Sequence, residues 1–93
     1  MTTKIRLGIL ISGRGSNMQT IIKESLAGNL PVDISIVISN NPDAAGLDIA
    51  KQHHIKTAII NHNNYNSRHE SDTAIKNCLI EHNVELVILA GYM

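Results

Sequence analysis

A glycine-rich link, Ser12-Gly13-Arg14-Gly15-Ser16-Asn17, joins an apolar run to a stretch whose apolar residues fall at helical spacing, and no other feature constrains the fold as much. The run before it, Ile5 to Ile11, is apolar apart from Arg6 and Gly8, as in a strand covered on both faces. After it, Met18, Ile21, Ile22 and Leu26 fit a helix over about Asn17 to Ala27, with Gly28 and Pro31 as stop signals. A strand that turns through two glycines into a helix is the first half of a parallel β-α-β unit. The sequence downstream then has to supply partner strands.

It supplies them at even spacing. Ile34 to Ile38 is rich in β-branched residues and closes on Ser39-Asn40-Asn41-Pro42-Asp43, a second strand followed by a turn. Asp43 reads as the cap of a second helix that carries Ala44, Leu47 and Ala50 on one side and ends near His53-His54. Thr57 to Ile60 is a short third strand, and Ser67 with Glu70 fits a capping box opening a third helix striped by Ala74, Ile75, Cys78 and Leu79. Asn83 is a left-handed stop, and Val84 to Ala90 reads as a fourth buried strand ending in Gly91-Tyr92-Met93. The order β-α-β-α-β-α-β predicts an α/β chain with a Rossmann-like open parallel sheet and right-handed crossovers. Residues 1–93 are too few for two cores and are expected to form one unit.

Charge and apolar content exclude several classes. Eight Lys and Arg balance eight Asp and Glu, which removes the basic field of a protein that holds nucleic acid through its phosphates. No apolar run approaches the roughly 20 residues that span a bilayer, and Met1-Thr2-Thr3-Lys4 leads into a strand without a signal-peptide pattern. A soluble protein with no nucleic-acid or membrane partner is expected. Cys78 has no internal disulfide partner and reads as a small buried hydrophobe, which suits a reducing cytoplasm.

The link itself points to an anion. Open N–H groups and the positive end of a helix dipole meet in one crevice there, glycines let a phosphate approach the backbone, and Ser16 adds a hydroxyl. Two glycines alone fit a plain tight connection equally well; their place after the first strand favours the anion. A dinucleotide fingerprint requires a third glycine where Met18 stands, and an acidic residue closing the second strand, which is lacking. A P-loop requires Lys-Ser or Lys-Thr after a longer glycine loop, and none occurs. A phosphate monoester or sugar phosphate remains.

Leu10-Ile11-Ser12-Gly13-Arg14-Gly15-Ser16-Asn17-Met18-Gln19, with Val37-Ile38-Ser39-Asn40 and Leu89-Ala90-Gly91-Tyr92-Met93, resembles glycinamide ribonucleotide transformylase (phosphoribosylglycinamide formyltransferase) over about the first half of that family's catalytic domain. The resemblance implies transfer of formyl from 10-formyltetrahydrofolate to glycinamide ribonucleotide in purine biosynthesis. It implies that Gly15, Ser16 and Asn17, with Gly13 in the same turn, hold the substrate 5′-phosphate, and that Arg68 and Met93 lie by the folate. The family's Asn, His and Asp, which stabilise the oxyanion and move the proton, belong downstream of the matching region. No catalytic residue is therefore expected in this chain, which by itself should be inactive, the C-terminal catalytic portion being absent. Position 14 is Arg where the family's turn carries Asn elsewhere; this changes a side chain and keeps the backbone donors. Formyltetrahydrofolate hydrolase, a relative, lacks the Ser-Gly-x-Gly-Ser-Asn pattern. The alternative from another class is a non-catalytic module that binds a phosphorylated ligand, and the sequence admits a homodimer.

The five histidines, His53, His54, His62, His69 and His82, form no spaced set with Cys or carboxylates, so no metal is expected and they read as solvated or capping groups. His69, beside Arg68, is the one among them with a case for touching a ligand. Ser12 and Ser16 have no His-Asp partners, which leaves a serine hydrolase without support.

Overall fold

The computed structural model describes residues 4–92. Strands β1 (Ile5–Ile11), β2 (Val32–Ser39), β3 (Thr57–Ile59) and β4 (Leu86–Leu89) alternate with helices α1 (Ser16–Leu26), α2 (Ala45–Gln52) and α3 (Arg68–Glu81). All pairings are parallel and the sheet order is β3-β2-β1-β4. The chain therefore builds outward from β1 through β2 to β3, then returns to place β4 on the other side of β1. That reversal opens a crevice at the carboxyl ends of β1 and β4, where the connections leave in opposite directions.

Side-chain alternation along the strands divides the core in two. Ile9, Ile11 and Val37 face α1 and α2 and pack with Met18, Ile22, Leu47 and Ala50. Leu10, Ile36 and Ile38 point the other way, toward Ala74, Ile75, Cys78 and Leu79 of α3. Each buried Ile or Leu contributes about 1.5–3 kcal/mol. The carboxyl end of β1 is tied on both sides: Ile11 pairs with Ser39 of β2, and the Ala90 N–H donates to the Leu10 carbonyl at 2.9 Å.

Local signals account for most of the helix ends. The Ser67 Oγ accepts from the Glu70 N–H at 3.2 Å, so the serine half of the expected capping box forms, whereas the Glu70 carboxylate reaches one residue past the cap and accepts from the Asn66 N–H at 3.1 Å. Asn83 has φ 57°, and the following Val84 N–H returns to the Leu79 carbonyl at 3.1 Å, the left-handed stop expected of it. The second helix departs from expectation, because its cap is Ala44 and not Asp43. Asp43 lies one residue before the cap, in the preceding turn, where its N–H donates to Asn41 Oδ1 at 3.0 Å, and no side chain caps the helix.

Two burial expectations also change. The fourth strand is shorter than Val84 to Ala90 and is not buried: Leu86 is 50% and Leu89 65% exposed, because β4 is an edge with a neighbour on one side only. Cys78 is half-buried, with burial and then the nearby Glu81 carboxylate pushing its thiol pKa up. Among the described residues no helix is long and apolar enough to cross a membrane.

Candidate functional site

The glycine-rich link lies at the crevice where the sheet order reverses. Ser12 is buried directly after β1, Gly13 and Arg14 are exposed, Gly15 is buried, and Ser16 and Asn17 open α1 at the surface. Gly15 sits at the helix cap with φ 69° and ψ 34°, a left-handed conformation in which a β-carbon costs about 1–2 kcal/mol. A β-carbon there would also lie 3.1 Å from the Met18 terminal methyl and 3.2 Å from the Gly46 Cα, so a side chain would strain the turn twice over. Gly13 has neither constraint, since a β-carbon built on it meets nothing within 4 Å.

The N-termini of the three helices differ in what occupies them. At α3 a serine caps the backbone and Glu70 stands in the first turn. At α2 no side chain caps the helix, but the Gly46 N–H donates to the Gly13 carbonyl at 3.0 Å, so the turn itself serves as cap. At α1 the cap residue is glycine, no side chain caps the helix, and the first turn holds no acidic residue. The first N–H groups of a helix have no intrahelical partner, and the dipole leaves positive charge beside them. The Gly15 cap and the exposed Ser16 and Asn17 thus open the helix with no capping side chain and no carboxylate in the first turn to compensate their backbone donors, at the opening of the sheet crevice. An anion of phosphate type satisfies both needs.

Of the residues expected at the site, Gly13, Gly15, Ser16 and Asn17 come together in this one turn. Arg68 does not join them. It is the exposed first residue of α3, at the same carboxyl edge of the sheet but on the helix that covers the opposite face. Met93 lies outside the described residues. His69 is exposed beside Arg68, and His53, His54 and His62 are exposed as well. His82 is the exception: its Nδ1 lies 2.7 Å from the Cys78 carbonyl at the end of α3, which gives it a capping position. Among the described residues no group of His, Cys, Asp and Glu is arranged to hold a metal ion.

Two residues gain importance only in three dimensions. Gly46 approaches the turn from α2, and the Asn41 side-chain amide donates to the Ser12 carbonyl in a long hydrogen bond of 3.4 Å. The sequence signal for Gly46 is a glycine inside an otherwise helical stretch, which hints at close approach without saying to what.

A formyl transferase family model matches residues 5–93. The chain belongs to the formyl transferase family. It is 44% identical over 88 residues to phosphoribosylglycinamide formyltransferase of Haemophilus influenzae, a match that covers 95% of this chain and 42% of that protein. It is 46% identical over 90 residues to the human trifunctional purine biosynthetic protein adenosine-3, covering 97% of this chain and 9% of that one. The crystal structure of glycinamide ribonucleotide transformylase 1 from Symbiobacterium toebii superposes with a TM-score of 0.96 at 38% identity, over 100% of this chain and 44% of that one. The chain therefore spans less than half the length of these relatives.

Proposed function

We propose that this chain is the substrate-phosphate portion of a phosphoribosylglycinamide formyltransferase, an enzyme of purine biosynthesis that transfers formyl from 10-formyltetrahydrofolate to the amine of glycinamide ribonucleotide. The observation that carries the reading is the start of α1, with Gly15 left-handed at the cap, no capping side chain and no acid in the first turn. The substrate phosphate would accept from the Gly15, Ser16 and Asn17 N–H groups and from the Ser16 hydroxyl, with Gly13 giving the backbone room. Holding the phosphate at one end orients the distant amine, which is the positioning part of catalysis.

In the transfer itself the amine attacks the formyl carbon, the new carbon–nitrogen bond forms, the bond from the formyl carbon to the folate nitrogen breaks, and one proton lost by the amine is balanced by one gained at the departing folate nitrogen. The Asn, His and Asp that serve this step in the family lie beyond the matching span, and these 93 residues supply none of them in this reading. Arg68, exposed at the carboxyl edge of the sheet, and Met93 are assigned to the folate side. A cytoplasmic location and a homodimeric assembly belong to the same reading.

Calorimetric titration of the full chain with glycinamide ribonucleotide tests it. Binding is expected for the wild type and a loss of at least about tenfold for Gly15→Val, from the left-handed strain and the blocked approach. Equal affinities would overturn the assignment. Binding without formyl transfer by these 93 residues alone is the expected companion result; transfer by them alone would refute the division of labour.

A further inference from the structure

The Gly46 N–H donates to the Gly13 carbonyl at 3.0 Å, and a β-carbon at Gly46 would lie 2.5 Å from Ile11 Cδ1, 3.2 Å from the Gly13 oxygen and 3.3 Å from the Arg14 oxygen. Two successive carbonyls of the turn thus crowd against the start of α2. In a trans peptide the carbonyl and the following N–H point in opposite directions, and no cis peptide occurs among the described residues. The Gly13 carbonyl, held toward α2 by the Gly46 N–H, therefore turns the Arg14 N–H away from it, and an Arg14 carbonyl lying against α2 does the same for the Gly15 N–H. We propose that Gly46 is a positioning residue for the anion turn: α2 can approach closely enough for the Gly46 N–H to hold the Gly13 carbonyl, with the Arg14 carbonyl packed beside it, only because residue 46 has no side chain, and the N–H groups are aimed outward as a result. This rests on the phosphate reading of the turn.

The contacts separate packing from positioning. Ile11 Cδ1 is a side-chain tip, and Ile11→Val removes it; the two backbone oxygens stay. Gly46→Ala alone is expected to destabilise the chain and to weaken binding of glycinamide ribonucleotide about tenfold, the loss of one good hydrogen bond's worth of orientation. The double variant Ile11→Val/Gly46→Ala should recover only the part of the lost stability that the Ile11 tip accounts for, yet keep the weakened binding and show displaced Arg14 and Gly15 amide resonances without ligand. Ile11→Val by itself should bind as the wild type does. In the wild type, ligand binding should also slow hydrogen exchange at the Gly46 N–H, a readout that needs no variant to fold. A double variant that binds like wild type, or a Gly46 amide whose exchange ignores the ligand, overturns the positioning role. A wild type that does not bind glycinamide ribonucleotide takes down the phosphate reading and this one together, which tells the two failures apart.

Discussion

On the face of the sheet covered by α1 and α2, a methyl group added at Gly46 would press on two backbone carbonyls as well as a side chain; on the α3 face, one added at Gly8 would meet only side-chain tips, Leu79 Cδ2 at 2.6 Å and the Val84 methyls at 3.1 and 3.2 Å. Backbone tied into a sheet and a helix has nowhere to move, whereas a leucine tip can change rotamer. The same contrast extends beyond these glycines. The α1–α2 face encloses Ile9, Ile11, Met18 and Val37 completely, while the α3–β4 side leaves Ile80 62% and Val87 42% exposed around an open apolar groove of about 370 Å³. The face with backbone-to-backbone contact is the one that carries the anion turn, and preorganised donors need such support.

Core truncation gives the largest test of this contrast. Ile9→Ala should cost about 2–5 kcal/mol in urea unfolding, whereas Leu89→Ala should stay within about 0.5 kcal/mol. Equal losses would break the comparison. Added methyls should follow the same order: Gly46→Ala is expected to destabilise by about 1–3 kcal/mol and Gly8→Ala by clearly less, read as a difference between urea midpoints. Ser67→Ala should cost about 1 kcal/mol, since it removes only the cap of α3, and a larger loss would mean that α3 is as firmly built into the core as α1.

The smallest effect concerns the half-buried thiol. Burial, and secondarily Glu81, raise the Cys78 pKa, so the thiolate is scarce at neutral pH and alkylation should accelerate only as pH rises above the ordinary thiol range. Because the folded state holds the proton more tightly, the stability gained there is full below the unfolded thiol's pKa and is lost as pH rises through the folded one. Glu81→Gln should lower the pKa slightly and speed alkylation at fixed pH; an unchanged rate would mean that burial alone sets it.

What the sequence discloses follows the range of the interaction. The serine cap at Ser67, the left-handed Asn83 and the glycine turn after β1 are local chemistry, and each forms as the residues indicate. Asp43 looks like a cap by composition, yet it falls within the turn in which Asn41 accepts its N–H, and Ala44 takes the cap position before a helix that starts at Ala45, a placement that composition does not resolve. The exposure of β4 depends on having β1 as its single partner, and the need for Gly46 on a carbonyl more than thirty residues earlier in the chain. Strand order and backbone approach are tertiary facts with no local signature.

The central claim is that the open start of α1 binds phosphate. Following backbone amide resonances of the ¹⁵N-labelled full chain during titration with glycinamide ribonucleotide tests it directly. The account predicts that the largest shifts fall on Gly15, Ser16 and Asn17, with inorganic phosphate moving the same amides more weakly; shifts confined to the α3–β4 groove while those three amides stay still would contradict it.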